Sequence, residues 1–345
     1  MTTTDAGAAT ATTPGSDYAR LARRMTAAGL LDRRPGYYAL RFGLVLALAL
    51  ATGAVYVRLG DSWAQLWVAV LTGVVSAQLA LLAHDVAHRQ VFRSARNSGI
   101  AGRIIGNLAI GMSYGWWSEK HTRHHANPNH SELDPDVAPD LLVWSTDQAR
   151  GARGAARLVG RWQAFLFFPL LTLEGINLHV ASVRALRKPT MRHRVLEAVL
   201  LLAHFVGYLA ALLLVLPPLH ALAFAAVHQG VLGVYLGCTF APNHKGMPEP
   251  TDEHRRDFLR RQVLTSRNVR GGRLLDVALG GLNYQIEHHL FPSMPTANLR
   301  RAEPIVRAYC AEVGVPYYET GLVRSYAQAL RHLHRVGAPL RSGPK

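Results

Sequence analysis

Four apolar runs, at about 38–57, 63–83, 195–216 and 219–242, limit what this chain can fold into. Each approaches the ~20 residues that cross the hydrocarbon core of a bilayer at 1.5 Å rise per residue. Backbone polar groups find no water there, so such a run must bond within itself as a helix. The residues at 58–62 make a short turn between the first two runs, and Pro217-Pro218 turns the chain between the last two. The expectation is an all-α integral membrane fold: four crossing helices in two hairpins, with the intervening chain as a helical cap.

Charge gives the orientation. The 345 residues carry 38 Lys and Arg against 22 Asp and Glu, a formal +16. The basic residues are absent from the Pro217-Pro218 turn and dense at 84–194 and from 243 onward. The positive-inside rule puts the N-terminus, the 84–194 segment and the 243–345 segment on one cytoplasmic side. It accounts for the arginines without nucleic acid, for which no basic run interleaved with aromatics is present. The cap has two further apolar patches, 100–112 and 162–173. The first leads to Trp116-Trp117, an interfacial signal, and the second contains Pro169; both are expected to lie on or dip into the membrane.

Residues 1–16 are Thr-, Ala- and Gly-rich without apolar period, a disordered tail rather than a signal peptide. Ser16 and Asp17 suit the start of a helix running to about Leu31, whose Arg20, Arg23 and Arg24 fit a phosphate-bearing surface. Residues 17–345 then form one domain. Cys238 and Cys310 are too few for a disulfide framework or a thiolate metal site, so any metal must rest on histidine and oxygen.

Histidine is arranged for that purpose. His84-Asp-Val-Ala-His88, His121-Thr-Arg-His-His125 and Gln285-Ile-Glu-His-His289 each lie at the edge of an apolar region. On a helix, positions i, i+3 and i+4 share a face. Seven imidazoles, His84, His88, His121, His124, His125, His288 and His289, exceed what one zinc takes, so two metals follow. Imidazole suits iron, copper or zinc and not calcium or magnesium. No His-Glu-x-x-His occurs, which argues against a zinc protease. Nine further histidines (His130, His179, His193, His204, His220, His228, His254, His332 and His334) are expected to be surface or structural groups.

The boxes His84-Asp-x-x-His88, His121-x-x-His-His125 and Gln285-Ile-Glu-His-His-Leu-Phe-Pro292, with their order and surrounding hydropathy from about 36 to 310, resemble the integral-membrane fatty acid desaturases. The resemblance implies four crossing helices with a di-iron site in the cytoplasmic cap. It also implies an eighth imidazole after the fourth crossing helix, placed at His244, with Asn243 acting nearby through water. Many relatives open the third box with His. Gln285 occurs at that place in front-end desaturases and in bacterial acyl desaturases of other regioselectivity, so it leaves the bond position open. Gln285 is expected to orient a ligand by hydrogen bonding. Asp85, Asp134, Asp136 and Glu287 are the candidates to orient imidazoles, with Asp85 best by position.

The implied activity is O2-dependent insertion of a C=C bond into a fatty acyl chain, with two irons as cofactor and O2 as co-substrate. The acyl group would come as acyl-CoA, acyl-carrier protein or acyl-lipid. No His-Pro-Gly-Gly haem motif and no flavin fingerprint is present, so electrons would come from a separate donor, a ferredoxin or an NAD(P)H reductase. The expected place is the inner membrane, with both termini and the active site cytoplasmic. A hydroxylase, epoxidase or ketolase on the same iron scaffold is the nearest alternative. A membrane metal transporter is the alternative of another class, disfavoured because the boxes lie outside the crossing runs.

Overall fold

The structure, a computed structural model, describes residues 16–341. The expected tail therefore lies outside the described residues, except for Ser16, whose Oγ accepts from the backbone N–H of Ala19 and caps α1 (Asp17–Ala27). This helix stops short of Leu31 because Gly29 takes a left-handed conformation, φ 65°.

The long helices match the apolar runs. They are α2 (Pro35–Leu59) and α3 (Gln65–Ala87), and later α9 (Arg194–Val215) and α10 (Pro218–His244). Pro35 and Pro218 stand in the first turns, where a missing N–H costs nothing. Between the pairs come α4 (Ala95–Arg103), a π segment (Ile104–Ile110), α5 (Tyr114–Ala126), α6 (Thr146–Gly151), α7 (Gly154–Leu171) and α8 (Glu174–Ala185). After α10 come α11 (Asp252–Arg256), α12 (Phe258–Leu264), α13 (Arg273–Ala278), α14 (Gln285–Leu290), α15 (Thr296–Glu312), α16 (Leu322–Val336) and α17 (Ala338–Arg341). The fold is not wholly α: β1 (Asn268–Arg270) pairs in parallel with β2 (Glu319–Gly321).

Among the described residues, four helices are long and apolar enough to cross a membrane. α2 and α9 leave Leu44, Leu50, Val57, Leu202, Leu209 and Leu214 exposed, a surface that suits lipid and not water. α3 is buried along Ala69, Ala77, Ala80 and Ala83, small residues that let α10 approach closely. α7 and α8, which together also pass the length and composition test, bend by 86° where they meet, so the count is four or five. This elbow is what the Pro169 patch becomes. α10 lies in it: a Cβ on Gly233 would stand 2.3 Å from the Leu171 carbonyl oxygen.

Two expectations need correction. α3 continues beyond residue 83 and carries His84 and Asp85 within the helix. The second hairpin is splayed: α10 packs on α3 and α8, while α9 packs on the π segment. The cause is Glu197 of α9, fully buried, which accepts from Asn107 Nδ2 (3.1 Å), Ser113 Oγ (2.6 Å) and the Gly115 N–H (3.0 Å). Buried carboxylates need such partners, and these draw α9 toward the start of α5.

The cap has its own core. Leu259, Val263, Ile286, Leu290, Leu299 and Val306 pack against Leu21 and Met25 of α1. The apolar burial seats α14, and with it the third histidine box, over the ends of α3 and α10.

Candidate metal centre

All three boxes and His244 meet in one imidazole cage. His84 lies in the last turn of α3 and His88 caps it. His121, His124 and His125 lie on α5, whose start is held by the Ser113 cap and Glu197. His244 is the last residue of α10, and His288 and His289 lie on α14. His84, His88, His121 and His288 each bring a ring nitrogen within 4.8 Å of the others, and so do His124, His244 and His289. His125 stands at the junction. Its Nε2 is 3.0 Å from that of His121 and 3.1 Å from that of His288, and its ring stacks on His289 at 4.2 Å.

The outward partners fix the proton on three rings. His124 Nδ1 donates to both Asp134 oxygens at 3.0 Å, His244 Nδ1 to the Thr265 carbonyl at 3.1 Å, and His289 Nδ1 to Gln262 Oε1 at 2.9 Å. A neutral imidazole holding its proton on Nδ1 has a lone pair on Nε2. In their neutral forms all three rings turn a lone pair inward. Those of His244 and His289 face each other at 3.0 Å with no proton assigned between them. Two ligands of one ion, each at about 2.1 Å and at right angles, stand about 3.0 Å apart. His84 Nε2 is buried without any hydrogen-bond partner. The donor set thus fits metal ions on its own chemistry. Burial first, and then the neighbouring imidazoles, hold His88, His121, His125, His288 and His289 well below the ordinary histidine range, in the ligating neutral form. For His124 burial acts the same way, but the Asp136 and Asp134 carboxylates outweigh it and hold this ring above that range.

The expected orienting residues divide. Asp134 holds His124 and is itself fixed by the N–H groups of Asn129 and Asp136. Asp136 lies 3.5 Å from His124 Nδ1 and pairs with Lys120 at 2.6 Å. Asp85, favoured by position, faces Arg41 at 2.8 Å and Thr296 Oγ1 at 3.1 Å, and lies 3.4 Å from His84 Nδ1. Arg41 and Thr296 share its Oδ2, while its Oδ1 faces the His84 ring, so Asp85 links that ring to α2 and α15. Glu287 turns away from the cage to accept from Asn268 and Tyr317 at 2.7 and 2.8 Å, and burial pushes its pKa up to about 7. It fastens α14 to β1 and the segment before β2. Gln285 does more than orient: its Nε2 reaches His244 Nε2 at 2.9 Å. Asn243 Nδ2 donates to the Leu282 carbonyl at 3.0 Å and to Gln285 Oε1 at 3.3 Å, leaving a buried Oδ1 without a partner beside the cage.

Sequence reasoning missed Gln262, the Thr265 carbonyl and Arg41. It also set Trp117 aside as an interfacial residue. Trp117 stacks on His121 at 4.5 Å, one helical turn along α5, and the i, i+4 spacing could have shown it. The other nine histidines stay outside the cage. His228 bonds Tyr208 and Ser76, and His204 bonds the Leu108 carbonyl freed by the π segment.

Long apolar helices carrying a buried imidazole cage at their ends define a class, membrane proteins with histidine clusters able to hold metal. The model of the family described as fatty acid desaturase matches residues 61–321, and the chain belongs to that family. It is 30% identical over 311 residues to the acyl-lipid (9-3)-desaturase of Physcomitrium patens, covering 87% of this chain and 58% of that one. It is also 30% identical to fatty acid desaturase 3 of Bos taurus, covering 93% of this chain and 73% of the relative. Against a Delta(5) fatty acid desaturase of Caenorhabditis elegans the identity is again 30%, covering 93% and 74%. The chain thus spans less than two thirds of the moss relative's length.

Proposed function

We propose that this chain is an O2-dependent fatty acyl desaturase holding two irons in the cage. One iron falls to His84, His88, His121 and His288, the other to His124, His244 and His289, with His125 at their junction. The observation that carries this is the inward set of lone pairs on rings whose protons are held outward. When bound, the iron pair supplies with O2 the oxidant that unactivated methylene C–H bonds require. The chain's own groups do the rest. Asp134, Thr265 and Gln262 hold Nδ1 protons and ring orientations. Trp117, and Phe240 at 6.4 Å from the His84 ring, pack apolar surface on the cage and keep water out. Gln285 and Asn243 lie against His244 and tune one side of the cage.

In this reading α2, α3, α9 and α10 cross the inner membrane and the α7–α8 elbow dips in from the cap side. Both termini and the cage are cytoplasmic, as the arginine distribution supports. Electrons come from a separate protein donor such as a ferredoxin or reductase. The substrate is an acyl chain drawn from the membrane side.

The test is expression in a host of simple fatty acid profile with an electron donor, reading lipids by gas chromatography–mass spectrometry with double-bond location. A new alkene that disappears in His124→Ala is the expected result. A hydroxy or epoxy product would replace the desaturase reading by an oxygenase one. Purified protein without iron would remove its basis.

A further inference from the structure

Asn129 lies in the loop after α5, beyond the second histidine box and outside the cage. Among the described residues only Arg89, Asn129 and His193 combine a side chain with a positive φ, 58° for Asn129. Asparagine enters that left-handed region more readily than most residues. In this conformation one residue donates in two directions. Its backbone N–H goes to Asp134 Oδ2 at 2.8 Å, the carboxylate that accepts from His124 Nδ1. That bond stays within the loop and is ordinary turn chemistry. The side chain does something else. Its Nδ2 donates to the Thr265 carbonyl at 3.0 Å, and the same oxygen accepts from His244 Nδ1. The amide also reaches the His244 carbonyl at 3.3 Å and the Pro248 carbonyl at 3.5 Å. These partners lie 136, 115 and 119 positions further along the chain. His244 is the last residue of α10, where carbonyls have no partner within the helix. A carbonyl oxygen has two lone pairs. On Thr265 one serves the His244 ring and the other serves Asn129, so the amide fixes the direction in which that ring is held. Both the backbone and the ring of His244 are thus braced from Asn129. None of these four bonds involves His84, His88, His121 or His288.

We propose that Asn129 is a positioning residue for one metal of the pair. Its amide sets His244 and its N–H, through Asp134, sets His124, so two of the three imidazoles in the His124, His244 and His289 group keep a common aim. The inference rests on the two-iron reading. It adds the residue that keeps one iron's ligands in register while touching no metal itself.

The experiment uses the full chain in nanodiscs, titrated with ferrous iron without oxygen and read by iron analysis and Mössbauer spectroscopy. Asn129→Gly keeps the left-handed backbone and its N–H and loses the amide. Asn129→Asp keeps the outline of the side chain but sets an acceptor against the Thr265 and His244 carbonyls. Each variant is expected to weaken one iron about 10–100-fold and to hold the other as the wild type does. One Mössbauer signal should change and the other stay. Agreement between the two variants assigns the effect to the lost donor, since they treat the backbone differently. Should Asn129→Asp fail to fold, Asn129→Gly carries the test alone. A purely structural asparagine would lower the melting temperature of the metal-free protein and leave both irons bound with unchanged spectra. That result would overturn the proposal, and so would equal weakening of both irons. A wild-type protein that holds two irons and forms no alkene would sink the desaturase reading alone.

Discussion

Asp134 and Asp85 each stand near a cage histidine, yet they do different work. Asp134 Oδ1 and Oδ2 both accept from His124 at 3.0 Å, whereas Asp85 gives Oδ2 to Arg41 and Thr296 and meets His84 Nδ1 only through Oδ1, at a longer 3.4 Å. Asp134→Asn is therefore expected to lower iron content or turnover by about 10–100-fold with little change in melting temperature. Asp85→Asn is expected to do the reverse. It breaks a buried ion pair and should destabilise the fold by about 3 kcal/mol or more, while iron loads at low temperature. Iron analysis beside a thermal melt distinguishes them, and equal loss of iron in both would contradict the assignment. This division could not be read from the sequence. Seven imidazoles were legible because their spacing is periodic, and His244 only through the resemblance to the desaturases. Asp85 does reach the adjacent His84 ring, but its buried pair with Arg41, 44 positions earlier, had no signature in the sequence. The Thr265 carbonyl had no signature at all, since every residue has one.

At the scale of elements, the ends of helices decide whether the cage forms. Arg267 is fully buried. Its guanidinium donates to the carbonyls of Pro242 and Lys245, closing the C-terminus of α10 at His244, and to Ser325 and Gln328 of α16. A cation suits that end of a helix dipole. Arg267→Met is expected to cost about 3 kcal/mol or more and to release iron from the His244 side first. Chemical denaturation and iron stoichiometry check it, and a two-iron variant of normal stability would refute it. The elbow of α7 and α8 gives a second prediction. Gly233→Ala must push against the Leu171 backbone, at a cost of about 2 kcal/mol. Alanine at Gly207, which has nothing within 4 Å of the added carbon, should change stability little. The four long helices were readable from hydropathy to within a few residues. The splay of α9 from α10 was not, because it turns on Glu197 finding Asn107, Ser113 and Gly115 across the fold.

For the whole molecule, the proposed topology makes a labelling prediction. In a background with Cys238 and Cys310 replaced, a cysteine at Ser62 should react with a membrane-impermeant maleimide on intact cells. One at Arg335 should react only after lysis. The opposite pattern would invert the molecule. Chelation gives another expectation. With the metals removed, inward lone pairs oppose one another across α3, α5, α10 and α14, so the apo protein should melt earlier and be cleaved by protease first near these joints. The cap and the apolar helices were separable in the sequence by charge alone. Their mutual grip was hidden, because it depends on residues far apart in the chain.

That distance has a consequence for how the protein is made. His84 and His289 belong to one cage, yet every helix from α4 to α13, α5, α8, α9 and α10 among them, is synthesised between them. Chains emerge from the ribosome N-terminus first. The first five imidazoles are in the cell long before the last three exist. A nascent chain thus presents a half-built ligand set, open on one side, while its helices are still entering the membrane. Correct loading must wait until α14 is released and settles on the cap core. The third box is then the clasp that closes last, and a chain stalled before Gln285 would be inserted, folded in part, and unable to hold its iron pair.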